Sequence, residues 1–405
     1  MRQRMRWWSA GATVAIVAGA LAVRSATDDV PPPDALSTTA SPAAASPPQP
    51  SALPSPSMSA SVAVPACARA VGRLSIEERA GQLLMVGTPV DRPRELSAAV
   101  RRHRLGGVFL AGRSKRSAAA LRSDIAALQR GAASPLLIAL DQEGGSVQTL
   151  KGAGFPLIPS AQRLGAGPAA TLRATVRDNA GRLARIGVTV NLAPVADTVP
   201  AGLGEGNPPI GAFHRQYGSD PAAVADDIRT VVPASQGAGV LTILKHFPGL
   251  GRVRANTDTS TKAVDRATTV TDPYLEPFEA GIAAGSAGVM ISSASYPRLD
   301  PDDIAAFSAP IITGLLRDRL GYGGLVMSDD LGAAAATRAV PVGQRAVRFV
   351  CAGGDVVLTI RPQDAAPMTA ALIEAARRSP AFAARVDAAA AHVLEAKQRA
   401  GLLRC

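Results

Sequence analysis

Beyond Pro65 the chain repeats one pattern eight times: a short run of β-branched and apolar residues, then an Ala-, Leu- and Arg-rich stretch of helical period. The runs are Leu83 to Gly87, Gly107 to Ala111, Leu136 to Asp141, Thr189 to Ala193, Leu241 to Phe247, Gly288 to Ser292, Gly324 to Asp329 and Val356 to Thr359. Continuous apolar runs suit strands covered on both faces, as the strands of a parallel sheet are. Strands alternating with helical stretches indicate repeated βα units. Eight such units predict an α/β fold, a closed TIM (β/α)8 barrel forming a single domain. An open doubly wound sheet has less support, because no glycine-rich phosphate fingerprint follows an early strand.

The barrel is expected over residues 66–405, and two further segments precede it. In residues 1–26, Arg2, Arg4 and Arg6 stand ahead of an apolar run from Ala10 to Val23. That run is shorter than the roughly 20 residues that comfortably span a bilayer. Small residues such as Ala20 and Ala22 offer cleavage positions. The segment therefore reads as an export signal peptide or a short N-terminal membrane anchor, and no Cys follows it to carry a lipid. Residues 27–65 are dominated by Pro, Ala and Ser, with no apolar periodicity, and read as a disordered linker. The expected location is extracytoplasmic, secreted or tethered, with membrane contact only through the N-terminal segment.

Charge narrows the partners. The 43 basic residues outnumber 32 acidic ones, for a net charge of +11, but aromatics are only 3% and the arginines are scattered. Basic clusters interleaved with aromatics, the footprint of a nucleic-acid binder, are missing from the sequence. A solvated basic surface suits work beside anionic envelope polymers, and a monomer is expected. The basic residues are nearly all arginine; the lysines are Lys115, Lys151, Lys245, Lys262 and Lys397. A lysine inside an apolar strand, as Lys245 is, therefore stands out. Cys67, Cys351 and Cys405 allow one disulfide, for which Cys67 with Cys405 is the expected pair. Their spacing makes no metal site, and no cofactor is expected.

Polar residues gather where several apolar runs end: Asp141 in LLIALDQEGG, Lys245 and His246 in LTILKHFPGLG, Asp329 and Asp330 in GLVMSDDLGA. In a barrel all strand C-termini open on one face, so these residues converge. A charge at the end of an apolar strand must be solvated, paired or bound to ligand. A structural ion-pair network would satisfy that for any one of them, but the same behaviour at several strands points to a site.

The strings DQEGG, KHFPG, SDDLGA and LEAKQRAGLL resemble those of glycoside hydrolase family 3, specifically its single-domain bacterial β-N-acetylhexosaminidases, over roughly residues 76–403. The resemblance implies a retaining exo-glycosidase that removes β-linked N-acetylhexosamine from saccharides, with peptidoglycan fragments the expected substrate. It places Asp329 as the nucleophile, with Asp330 its neighbour. Asp141, Lys245, His246 and Arg215, the last in NPPIGAFHRQYGSD, fall at the sugar-binding positions.

The sequence departs from that pattern in the loop after KHFPG. There the family carries Asp-Ser-His, whose His serves as general acid and base, whereas this chain reads KHFPGLGRVRANTDTSTKAV. The ungapped register places Asn256, Thr257 and Asp258 on those positions and makes Asp258 the candidate acid and base, provided its pKa is raised. A register with two inserted residues would instead put Asp258 on the Asp position and Ser260 on the His position. Two arginines expected after DQEGG are replaced by Ser146 and Thr149. These departures leave two alternatives: a non-hydrolytic saccharide-binding protein of the envelope, and a glycosidase for another β-glycoside. His103 and His392 fall on helical stretches and His214 in a loop, outside the expected site.

Overall fold

The computed structural model of the protein describes residues 67–405; the expected signal or anchor (1–26) and linker (27–65) lie outside them. Eight parallel strands close into a barrel: β1 Leu84–Pro89, β2 Gly107–Ala111, β3 Leu137–Leu140, β4 Val190–Asn191, β5 Leu241–Phe247, β6 Gly288–Ile291, β7 Leu325–Asp330 and β8 Val356–Thr359. Each pairs with its sequence neighbours, and β8 closes on β1. All eight expected runs form barrel strands, three of them with the expected boundaries.

Alternation along the strands sorts their side chains into two apolar layers. Met85, Leu137, Ala139, Leu241, Ile243, Leu325, Met327, Val356 and Leu358 pack together inside the barrel. Their neighbours Leu84, Val86, Ile138, Leu140, Leu244, Val326 and Val357 face outward and pack in the layer beneath the helices. Burying each Val, Leu or Met contributes about 1.5–3 kcal/mol, so a strand with both faces covered is stabilised on both. The inward parity of β3, β5 and β7 runs on to Asp141, Lys245 and Asp329 at the C-terminal ends.

The opposite, N-terminal end is plugged by the last helix, Pro380–Arg399. Its Val393 and Ala396 join the inner apolar layer. Just beyond that helix the chain is pinned by a disulfide between Cys405 and Cys67, the expected pair, and Cys351 is free. At the start of the domain Ser75 and Glu78 form a capping box: Ser75 Oγ accepts from the Glu78 amide at 3.2 Å and Glu78 Oε2 accepts from the Ser75 amide at 2.8 Å. Two orphan amides of the helix Ile76–Gln82 are thereby satisfied just before β1 begins.

Candidate active site

At the C-terminal mouth the strand ends and their loops enclose a cavity of about 360 Å³. Asp141, Arg215, Lys245, His246, Asp258 and Asp329, all six expected site residues, line it together with Phe109, Leu192, Met290 and Ile360. Strict alternation would let only one of two consecutive residues face the cavity. The pairing of β5 with β6 shifts register between Leu244 and Phe247, and that of β7 with β8 between Met327 and Asp330. Such irregularities re-aim side chains, and both Lys245–His246 and Asp329–Asp330 line the cavity.

One side of the pocket is a compact charge cluster. Lys245, its side chain only 3% exposed, places Nζ 2.7 Å from Asp141 Oδ1 and 2.6 Å from Glu143 Oε1. Arg215 grips Glu143 with both prongs, Nε to Oε2 at 2.9 Å and Nη2 to Oε1 at 2.8 Å, and donates Nη1 to Pro209 O. Burial would push the Glu143 carboxyl up, but Arg215 and Lys245 outweigh it and hold its pKa at about 2. Burial would lower Lys245 and Arg215; Asp141 and Glu143 overcome it in Lys245, and Glu143 first of all in Arg215, so both cations are held more firmly charged. Two carboxylates and two cations compensate one another here, which is what makes buried charge tolerable. The turn carrying Glu143 needs Gly144, whose φ is 103° and whose missing Cβ would lie 2.3 Å from Pro159 O.

Glu143 was not among the expected residues, although it lies inside DQEGG. Asp197 was also missed. It is fully buried beyond β4, accepts His246 Nδ1 at 2.6 Å and the amides of His246 and Leu250, and so fixes the imidazole and the KHFPG turn together. The other ring nitrogen of His246 faces Arg215 Nη2 at 3.4 Å. Arg215, expected at a sugar-binding position, is thus a largely covered member of the cluster, its side chain 15% exposed.

Across the pocket stand the carboxylates of β7 and of the loop after β5. Asp330 accepts from the amides of Gly332, Ala333 and Ile360, an anchoring role that keeps it beside Asp329 rather than in its place. Asn256, Thr257 and Asp258 all line the cavity and Ser260 does not. The Asp258 turn is closed by Asn256 Oδ1, which accepts the Asp258 amide at 2.9 Å. It leans on the loop after β7, where the amides of Ala335 and Ala336 donate to the carbonyls of Asp258 and Thr257. Asp258 is exposed and opens on the pocket. Protein packed around its carboxyl nevertheless desolvates it, and the Asp329 charge adds to this; together they outweigh the pull of His246 and raise its pKa to about 6. A carboxyl whose pKa is raised to about 6, sharing the pocket with a second carboxylate, can act as acid and then base.

Where two arginines were missing, Thr149 Oγ1 donates to Asp141 O, and Ser146 O accepts from exposed Arg113 of the loop after β2. His103 ends the helix Ser97–His103, His214 pairs with Glu205 at 3.5 Å, and His392 with Asp355 at 3.0 Å; none lines the pocket. Among the described residues no group of three His, Cys, Asp or Glu is placed to hold a metal ion.

Fold and site together define a (β/α)8-barrel hydrolase whose carboxylates open into a saccharide-sized pocket at the barrel mouth. The N-terminal domain pattern of glycosyl hydrolase family 3 matches residues 75–396, and the chain belongs to this family of glycoside hydrolases. It is similar to a beta-hexosaminidase of Xanthomonas euvesicatoria pv. vesicatoria (strain 85-10), 37% identical over 267 residues that cover 64% of this chain and 77% of that protein. Among solved structures it resembles the β-N-acetylhexosaminidase of Beutenbergia cavernae DSM 12333, with 44% identity and a TM-score of 0.79 over 80% of this chain and 99% of the other. A family 3 β-N-acetylglucosaminidase from Paenibacillus sp. str. FPU-7 is 32% identical with a TM-score of 0.74, over 81% of this chain and 63% of the other.

Proposed function

We propose that the protein is a retaining exo-β-N-acetylhexosaminidase in which Asp258 does the work of a loop histidine. Asp329 attacks the anomeric carbon, forming a covalent glycosyl-enzyme as the glycosidic bond breaks. Asp258 gives its proton to the departing oxygen, so the aglycone leaves as an alcohol. The same carboxylate then takes a proton from water, whose oxygen displaces Asp329 and releases the sugar with net retention. Asp141, Lys245, His246 and Arg215 grip the sugar hydroxyls. The names of the similar proteins support N-acetylhexosamine as the sugar. The Arg-rich N-terminus and the net positive charge support work outside the cytoplasmic membrane, on saccharides derived from the cell wall.

The observation that carries this reading is the raised pKa of Asp258 in a pocket shared with Asp329, which favours a working acid over a barrel that only binds sugar. The Asp258→Ala variant tests it. Hydrolysis of β-N-acetylglucosaminides with poor leaving groups should fall by about 10²–10⁴-fold, activated aryl substrates should fall far less, and azide should restore part of the rate. Equal loss on both substrate kinds, without azide rescue, would remove Asp258 from the mechanism.

A further inference from the structure

Arg252 lies outside the pocket, six residues before Asp258, at the base of the loop that carries it. Its guanidinium reaches across that base. Nε donates to Asp265 Oδ2 at 3.1 Å, and Nη2 donates to Asp272 Oδ2 at 2.7 Å and to Thr268 Oγ1 at 2.6 Å. The guanidinium carbon sits 4.2 Å from the centre of the Tyr274 ring, within cation–π range. Asp265 and Asp272 are both buried.

The partners of Arg252 are themselves fixed. Asp265 Oδ1 accepts the amides of Ala267 and Thr268, and Asp272 accepts that of Tyr274 as a helix cap. The Asp265 amide donates to Ser295 O, and the Ser295 amide to Ala263 O, tying the far end of the loop to the chain beyond β6. At the near end Asn207 Nδ2 donates to the carbonyls of both Leu250 and Val253, on either side of Arg252. Gly251 lets the backbone close in there, since a Cβ on it would lie 1.8 Å from Thr198 O.

Residues 252–265 thus form a loop whose two ends are held together by one arginine and whose tip rests on the loop after β7. We infer that Arg252 is a positioning residue for proton transfer, closing the base of this loop so that Asp258 stands at the glycosidic oxygen. The inference rests on the reading of Asp258 as acid and base. Without the guanidinium fork, the near end loses its link to Asp265 and Asp272, two buried carboxylates lose their shared partner, and the base of the loop can open. A displacement of about 1 Å at the tip is enough to cost a rate factor of about 10². Asp329 is carried by β7 and not by this loop, so its attack should be spared.

The test compares Arg252→Lys, Arg252→Met, Asp258→Ala and the double variant Arg252→Met/Asp258→Ala on a series of aryl β-N-acetylglucosaminides. Thermal unfolding confirms that each is folded, and Arg252→Lys, which keeps the charge, decides the matter if Arg252→Met does not fold. For either Arg252 variant kcat/KM on the poorest leaving groups should fall by about 10- to 100-fold while the best fall by less than about threefold. The double variant should be no slower than Asp258→Ala within about twofold, because the two residues act as one unit. Loss that is equal across leaving groups in the Arg252 variants, beside a leaving-group-dependent loss in Asp258→Ala, would overturn the clamp and leave Asp258 in place. An even loss in Asp258→Ala itself would overturn both.

Discussion

Two buried lysines at opposite ends of the barrel face opposite electrostatics. At the mouth, Lys245 lies between Asp141 and Glu143, and those charges overcome burial and hold its ammonium. At the plugged end, Lys397 is fully buried with neutral acceptors, Gln82 Oε1 and Ser134 Oγ, and burial brings its pKa down to about 7. The same side chain is a fixed cation in one place and a group poised near neutrality in the other. The partner decides, not the depth. Under the proposed function the mouth keeps charge to grip a sugar, whereas the far end keeps a lysine for its long apolar stem and its hydrogen bonds.

The contrast breaks most sharply at Lys245. Lys245→Met would leave Asp141 and Glu143 without the cation between them, so stability should fall by about 3–5 kcal/mol. Loss of the sugar grip should lower kcat/KM by about 10²–10³-fold. Denaturant unfolding and steady-state kinetics read the two effects. Lys397→Met should cost less, because it keeps the volume and leaves only the neutral Gln82 Oε1 without its donor: unfolding free energy should fall by no more than about 1–3 kcal/mol, and kcat/KM should be unchanged. A loss as large as at Lys245 would show that the far-end lysine is also a held cation.

The same contrast can be read in pH. The folded pKa of Lys397, about 7, lies below the ordinary 10.5, so in that window the unfolded chain binds the proton that the folded one has released. Stability should therefore rise with pH between about 7 and 10.5 and be lowest below that window, where a buried charge is carried. The rise attributable to this group should be missing in Lys397→Met. Identical pH curves for the two proteins would contradict the lowered pKa.

The legible parts of the molecule are those where a period continues. Inward parity on β3, β5 and β7 leads directly to Asp141, Lys245 and Asp329, and eight apolar runs gave eight barrel strands. Glu143 sits past the end of β3 in a small hairpin, Gln142–Gly144 with Val147–Gln148, where parity no longer applies. Asp197 follows a strand of only two residues, too short for alternation to set a face. Arg215 and Asp258 belong to long loops, so their place in the site came from motif resemblance and not from pattern. Lys397 was visible in LEAKQRAGLL, but its burial depends on how the last helix plugs the barrel, which its own sequence does not encode.

The central claim is that Asp329 forms a bond to the sugar while Asp258 handles the proton. Incubation with a 5-fluoro N-acetylglucosaminyl fluoride, which slows turnover of the glycosyl-enzyme, followed by peptide mass mapping, tests this directly. The account predicts one sugar mass attached to the peptide carrying Asp329. An adduct on any other residue, or no adduct together with release of the sugar in the inverted configuration, would contradict it.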